Sequence, residues 1–247
     1  MADDLMRNKK AAYFTGCFHN YYYPEAGKAT AAVLQRNGIT LAVPDQVCCA
    51  LPMVSKGNYA DAERNMKFNL KKLVNLVNQG YIVIVSCSSC GLFIKEDYPL
   101  YISTEDAHKV AENLYHVTEY LLKLDQHGLL DRNFARMDKS VFYHTPCHLR
   151  AQGLGQPSVK LLQMLPGVSI KKISEECCGM SGAYGYEKVN YDLASHIGQK
   201  LGKDIRDNTA DLYITDCGGC RLQIRAVGGK EALHPMVVLS VAYGLKI

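Results

Sequence analysis

The chain has 247 residues, of which 48% are hydrophobic and 21% charged, and its net charge is +4. That balance belongs to an ordinary globular protein with room for one large or two smaller domains. The basic excess is too small and too scattered for a nucleic-acid surface, and no run reaches the roughly 18 apolar residues of a membrane helix. The polar start, Met1 to Lys10, lacks the apolar centre of a secretory signal, so a cytoplasmic location is expected.

In chain order, Ala11 to Thr15 reads as a short buried strand that runs into Gly16-Cys17. Pro24 suits the first turn of a helix, Ala29 to Leu34 continue it, and Asn37-Gly38 supplies the stop. Ile39 to Val43 is a second strand, ended by Pro44. Ala62, Met66, Leu70, Leu73, Val74 and Val77 recur at helical spacing, with Gly80 as the C-terminal cap. Tyr81 to Val85 is an uninterrupted apolar run, as expected for a strand covered on both faces of a parallel sheet. A helix around Val117 to Leu124 closes this half, and the polar stretch Gln126 to Lys139 reads as a linker.

The second half repeats the plan. Val141 to His144 leads into Cys147, Pro157 starts a helix that ends near Pro166-Gly167, and Val168 to Ile170 is a short strand. Leu193, Ile197, Leu201 and Ile205 mark one helix face, Leu212 to Thr215 is the last core strand, and Met236 to Tyr243 is a closing helix. The fold class is therefore α/β: two tandem, pseudo-symmetric βαβαβ (Rossmann-like) domains with parallel sheets, divided as residues 1–135 and 136–247.

The ten cysteines follow the same duplication. Cys17, Cys48, Cys49, Cys87 and Cys90 form one set; Cys147, Cys177, Cys178, Cys217 and Cys220 form the other, at offsets of 130, 129, 129, 130 and 130 residues. A constant offset at five points marks an internal repeat. Cys17, Cys87, Cys147 and Cys217 each follow a strand, and each Cys-Cys pair lies in the loop after a middle strand. All ten thus fall at the carboxyl edges of the sheets, where doubly wound folds bind ligands.

In a reducing compartment, patterned cysteines point to metal or redox chemistry rather than structural disulfides. A structural zinc wants four ligands, usually from two Cys-x-x-Cys pairs; each repeat has one such pair and a fifth thiol to spare. An iron–sulfur cluster removes the difficulty, because adjacent cysteines can bind different irons. Zinc at one of the two sites and metal-free catalytic dithiols stand as the alternatives.

Gly179, Gly182 and Gly185, directly after Cys178, would let backbone N–H groups approach a bulky anion; a flexible loop is the plain alternative. His144 and His148 flank Cys147 and could hydrogen-bond a sulfur or carry protons coupled to electron flow, the plain alternative being structural histidines. His234 could face the second site, but helix capping explains it equally, and the tyrosines Tyr21, Tyr22 and Tyr23 could shield a cluster, face a partner or simply pack.

The arrangement Cys-x30-Cys-Cys-x37-Cys-x-x-Cys, repeated as Cys-x29-Cys-Cys-x38-Cys-x-x-Cys, resembles the CCG or cysteine-rich domain family. Gly16-Cys17-Phe18, Tyr143-His-Thr-Pro-Cys-His148, Cys177-Cys-Gly-Met-Ser-Gly-Ala-Tyr-Gly185 and Thr215-Asp-Cys-Gly-Gly-Cys220 carry the resemblance, which spans about residues 11 to 243. The family takes in heterodisulfide reductase B subunits, the iron–sulfur subunits of glycolate oxidase, lactate-utilisation proteins and the C-terminal half of anaerobic glycerol-3-phosphate dehydrogenase C subunits.

The resemblance implies two 4Fe-4S clusters on the ten cysteines, of the noncubane form in heterodisulfide reductase-like members, which cleave a disulfide there. Dehydrogenase-type members instead pass electrons from a flavin subunit towards quinone, at the inner face of the membrane. The implied partners are thus flavin- and ferredoxin-type subunits, with a quinone or a small disulfide as acceptor. A third reading is a zinc-stabilised module that docks a dehydrogenase.

Two departures bear on this. The chain lacks the run Cys-x-x-Cys-x-x-Cys-x-x-x-Cys-Pro of bacterial ferredoxins, so relay clusters would lie on another polypeptide. The first motif reads Cys48-Cys49-Ala50, without the usual glycine. An altered backbone contact is expected there, and restoring Gly at 50 is expected to change the first site.

Overall fold

The computed structural model describes residues 9–247. The reading of the chain's polar start rests largely on residues 1–8, which lie outside the described residues. Two compact units divide between Asp131 and Arg132. That division and the expected one after residue 135 both fall in the stretch between the helix Val117–Gln126 and the strand Lys139–His144.

Each unit holds a four-stranded, all-parallel sheet. In the first unit the strands are β1 (Lys10–Phe14), β2 (Thr40–Ala42), β3 (Ile82–Val85) and β4 (Leu114–His116), in the order β2-β1-β3-β4. In the second they are β5 (Lys139–His144), β6 (Val168–Ser174), β7 (Leu212–Thr215) and β8 (Ala232–Leu233), in the order β6-β5-β7-β8. Each sheet therefore carries a fourth strand beyond the βαβαβ expectation. β4 and β8 have three and two residues, too short for a period-two pattern to show, and they form only by pairing with β3 and β7.

The local signals explain the helices. Pro24 opens Pro24–Arg36 at its first turn, where a missing N–H costs nothing. Asn58 caps Tyr59–Val77 by accepting from the Asp61 N–H, and Gly80 ends it with φ +83°. All four residues of β3 are fully buried, as the uninterrupted apolar run requires.

One expectation needs correction. In the helix Tyr191–Asp207, Leu201 and Ile205 are buried, but Leu193 is 51% and Ile197 40% exposed. The face that packs is Ala194, Gly198, Leu201, Gly202 and Ile205. Small residues at every fourth position let the helix press on its neighbours: a Cβ on Gly198 would lie 2.8 Å from the Cys178 carbonyl oxygen, and one on Gly202 would lie 2.6 Å from that of Val227. Close packing of backbone, which hydrophobicity alone does not report, decides this face.

The strand order places the ligand candidates. β1 and β3 are neighbours, as are β5 and β7, and the chain leaves the two strands of each pair toward different parts of the unit. The carboxyl edge between such strands is the crevice in which doubly wound sheets bind ligands. Cys17 follows β1 and Cys87 follows β3; Cys147 follows β5 and Cys217 follows β7.

Candidate metal centres

Three segments bring five thiols together in each unit. In the first, the Cys17 Sγ lies 3.9 Å from the Cys48 Sγ, Cys49 is within hydrogen-bonding reach of both Cys48 and Cys90, and Cys90 is within reach of Cys87. In the second, the Cys220 Sγ lies 3.2 Å from the Cys178 Sγ, Cys220 also reaches Cys217, and Cys147 feels the charges of Cys177, Cys178 and Cys217. All ten cysteines are free thiols. Among the described residues, no three His, Cys, Asp or Glu side chains gather around one point in the manner of a single-ion site. In the first unit the thiols form a chain of neighbours, from Cys17 through Cys48, Cys49 and Cys90 to Cys87; in the second Cys178, Cys220 and Cys217 do so, and Cys147 feels the charges of Cys177, Cys178 and Cys217.

The Cys-Cys turns are built alike. The N–H of Ala50 reaches the Cys48 sulfur and that of Leu51 reaches Cys49; in the second unit the N–H of Gly179 lies 3.4 Å from the Cys177 sulfur and that of Met180 reaches Cys178. Two successive N–H groups thus point at two adjacent sulfurs, an arrangement that favours negative charge on them. The residue between must be left-handed, with φ +83° at Ala50 and +87° at Gly179. The backbone contact expected to change at Ala50 is therefore kept. Alanine holds it at a cost of about 1–2 kcal/mol relative to glycine.

The turns differ in what packs on them. Asn69, buried on the helix Tyr59–Val77, accepts from the Val47 N–H at 2.9 Å and donates to the Val47 and Cys48 carbonyls at 3.2 Å. The Tyr98 hydroxyl donates to the Cys49 carbonyl at 3.1 Å. In the second unit the helix Tyr191–Asp207 comes so close that a Cβ on Gly179 would lie 2.0 Å from the Ala194 carbonyl oxygen. Asn69 and Tyr98 were not legible as site residues; a buried asparagine on an otherwise apolar helix face is the one signal that marks the first.

The other glycines divide. A Cβ on Gly182 would meet nothing within 4 Å, while Gly185 packs against Met180 and Ala194. The Gly185 N–H donates to the Met180 carbonyl at 2.9 Å, so it folds the loop and is not offered to a ligand. Of the three, Gly179 has its N–H aimed at a cysteine sulfur.

Charge within each thiol group is shared unequally. Hydrogen bonds from Cys17 and then Cys49 hold the Cys48 thiol well below its ordinary range, and the same proton shared with Cys48 holds Cys17 well above it. Cys49 and Cys90 are pushed up, first by sharing protons with neighbouring thiols and then by burial. In the second unit the Cys220 S–H holds Cys178 down, while Cys220 and Cys147 are pushed up. Without a metal, then, Cys48 in the first site and Cys178 in the second lose a proton more readily than an ordinary thiol, and metal binding must expel protons from the raised thiols Cys17, Cys49, Cys90, Cys147 and Cys220. The starts of the helices Ser88–Leu92 and Gly218–Gly228, with Cys87 and Cys217 as N-caps, place positive peptide dipole ends beside the thiols. Five thiols, two inward N–H groups per turn and a helix start fit a thiolate-bound anionic cluster.

The sites differ in access. Cys49, Cys87 and Cys90 are buried and Cys17 and Cys48 half-buried, whereas Cys147 and Cys177 are exposed. Tyr21 and Tyr22 are exposed and Tyr23 is buried, so only the last acts as core.

The three histidines His144, His148 and His234 take different places. His144 is buried with both ring nitrogens engaged: Nδ1 lies 3.2 Å from the Thr215 hydroxyl and Nε2 lies 3.0 Å from the Glu176 carbonyl oxygen. It therefore donates through Nε2 and tethers the segment before Cys177 instead of facing a sulfur. Burial pushes its imidazole down to about 4, so it stays neutral near pH 7. His148 is half-buried on the short helix Cys147–Ala151. His234 caps Pro235–Ala242, its Nδ1 accepting from the Met236 N–H at 3.2 Å.

The His144 shift gives a prediction with a definite sign. The unfolded chain takes up a proton below pH about 6.5, but the folded chain does not until about 4. Stability should therefore fall as pH drops through that window, by up to about 3 kcal/mol. Denaturant unfolding at stepped pH should show this acid slope in the parent and a shallower one in His144→Gln. Equal slopes would remove His144 as the cause.

The cysteine-rich domain profile, CCG, matches residues 11–95 and again 141–225. The chain belongs to the cysteine-rich domain family. Its two matched segments contain all ten cysteines, one set of five in each. Among its relatives is the C subunit of the anaerobic glycerol-3-phosphate dehydrogenase of Escherichia coli K12, 30% identical over 98% of this chain and 61% of the relative. The B subunit of a fumarate reductase (CoM/CoB) of Methanothermobacter marburgensis is 32% identical over 94% of this chain and 45% of its own length. An uncharacterised iron–sulfur protein of Methanococcus maripaludis is 33% identical over 90% of this chain and 42% of its own. The chain thus spans 61% or less of the length of these relatives, two of which are named as parts of oxidoreductases. No helix among the described residues is long and apolar enough to cross a membrane.

Proposed function

We propose that the chain is an iron–sulfur electron-transfer component of a multi-subunit oxidoreductase. Cys17, Cys48, Cys49, Cys87 and Cys90 would hold one 4Fe-4S cluster, and Cys147, Cys177, Cys178, Cys217 and Cys220 a second. The observation that carries the reading is the convergence of five thiols at one sheet edge in each unit, with N–H groups of the Cys-Cys turn aimed at adjacent sulfurs. Clusters of this kind supply one-electron steps at potentials tuned by burial and hydrogen bonds to sulfur. The chain's own part is to hold the thiolates, aim the N–H groups and keep water from Cys49, Cys90, Cys178 and Cys220. Electrons would come from a flavin-bearing partner through ferredoxin-type clusters on another polypeptide and leave towards a quinone or similar acceptor. The setting would be the cytoplasm or the inner face of a membrane.

A second reading is reduction of a small disulfide, which takes two electrons and two protons and releases two thiols. The exposure of Cys147 and Cys177 favours it at the second site, where a disulfide would find access. Zinc at one site would need only four of its five thiols.

The test is iron, acid-labile sulfide and zinc per chain after anaerobic purification, with EPR on the same sample. About eight irons and eight sulfides are expected for two four-iron clusters. Stoichiometric zinc without sulfide would overturn the electron-transfer reading. A new EPR signal on oxidation in the presence of a thiol would favour disulfide reduction over simple relay.

A further inference from the structure

The two sites match in their cysteines but not in the residue that precedes the Cys-x-x-Cys pair. β3 runs into Ser86-Cys87 and β7 into Asp216-Cys217. Ser86 and Asp216 are 130 residues apart, the offset of the cysteines beside them, and so are Tyr13 and Tyr143. Both tyrosines are buried on the strand next door and point their hydroxyls at this position. In the first unit the Ser86 hydroxyl sits 2.6 Å from the Tyr13 hydroxyl and 2.8 Å from His19 Nδ1. In the second, Asp216 accepts from the Tyr143 hydroxyl at 2.5 Å on one oxygen and from the Ser158 hydroxyl at 2.6 Å on the other. Asp216 is wholly buried. Hydroxyl donors spread a carboxylate's charge without neutralising it.

The position lies in the electrostatic field of the thiols. Tyr13 is pushed up to about 12, by burial first, with contributions from Cys87 and Cys90, and Tyr143 is raised by burial, by Asp216 and by Cys220. A residue that hydrogen-bonds these tyrosines and is covalently next to Cys87 or Cys217 is therefore close enough to act on whatever those sulfurs hold. A buried charge a few ångströms away in a low-dielectric surround is screened far less than one in water.

We propose that Asp216 makes the two sites electrically unequal: its buried carboxylate makes the group bound at the second site harder to reduce than it would be with the serine found at the matched position of the first. This rests on the cluster reading above. In that reading Asp216 is a tuning residue that opposes the effect of solvent at Cys147 and Cys177, since water stabilises the added electron and a fixed negative charge repels it. The plain alternative is that Asp216 only ties Tyr143 and Ser158 to the end of β7, as Ser86 ties Tyr13 and His19 to the end of β3. That structural role would leave the potentials alone.

The deciding experiment is a redox titration followed by EPR on the anaerobically purified chain, on Asp216→Asn and on Ser86→Asp. Iron and sulfide are assayed on each sample. Asn keeps the shape and an acceptor at 216, and an Asp at 86 would find the Tyr13 hydroxyl as a donor. The expected result is that Asp216→Asn shifts one of the two couples upward while Ser86→Asp shifts the other downward, with iron content unchanged. If iron is retained and neither variant moves its couple, or Asp216→Asn moves it downward, the inference is overturned and the cluster reading stands. If the parent chain holds no iron and sulfide, the cluster reading falls and this inference with it. Should Asp216→Asn fail to fold, Ser86→Asp decides the matter alone, because a downward shift supports the effect and an unmoved couple overturns it.

Discussion

Gly179→Ala should unfold the turn that carries Cys177 and Cys178. An alanine there would be left-handed at φ +87°, which costs about 1–2 kcal/mol. Its Cβ would also lie 2.0 Å from the Ala194 carbonyl oxygen, a backbone atom that cannot rotate away. To clear it the helix Tyr191–Asp207 must shift, and overpacking of a close contact costs a further 1–3 kcal/mol or so. The total, roughly 2–5 kcal/mol, is a large part of a typical domain's stability. Thermal melting should show the second unit weakened and the metal content reduced. Ala50→Gly is the counterpart: it relieves about 1–2 kcal/mol of backbone strain and gives up a buried methyl worth about 0.8 kcal/mol, so the melting point should hold or rise slightly. A Gly179→Ala protein that melts like the parent would sink the argument.

Cys49→Ser and Cys178→Ser should each remove one metal site and leave the other. Both sulfurs are buried, Cys49 between Cys48 and Cys90, and Cys178 against Cys220. Serine fills the space but offers a hydroxyl, which does not ionise near neutral pH and is a poor ligand for iron. Each site also sits on its own sheet and core, with Cys49, Cys87 and Cys90 in the first core and Cys178 and Cys220 in the second. Iron should therefore fall by about half, to about four per chain, in either variant. The EPR signal that survives in one should be the signal lost in the other. Loss of all iron from a single replacement would mean that the sites do not form independently. Full retention would mean that the replaced cysteine, Cys49 or Cys178, is not a ligand.

Much of this was legible because it is local. The apolar run Tyr81 to Val85, the helical spacing from Ala62 to Val77 and the stop at Gly80 all describe segments whose form depends on residues within a turn or two. The strands β4 and β8 are not legible because two or three residues carry no pattern until a neighbouring strand pairs with them. Leu193 and Ile197 misled for a related reason: the largest apolar residues define a helix's stripe on paper, but Ala194, Gly198 and Gly202 set how near the helix can come. For His144 the sequence leaves a proton carrier beside Cys147 and a structural histidine both open, because the partners that decide it, Thr215 and Glu176, are remote in sequence and reach its ring only in the fold.

The duplication, the parallel sheets and the ten thiols at their carboxyl edges follow from the order of amino acids. Spacing, apolar runs and turn residues act over short stretches, and the doubly wound order then leaves one edge for the ligands. Only the folded chain sets which thiols are held low and which are raised, which site faces water, how Ala50 keeps a glycine's geometry and what Asp216 stands beside. Those properties depend on burial and on contacts between remote segments, from Cys17 with Cys48, 31 positions apart, to Tyr143 with Asp216, 73 positions apart. They exist only once each sheet has brought its two central strands, β1 and β3 or β5 and β7, side by side.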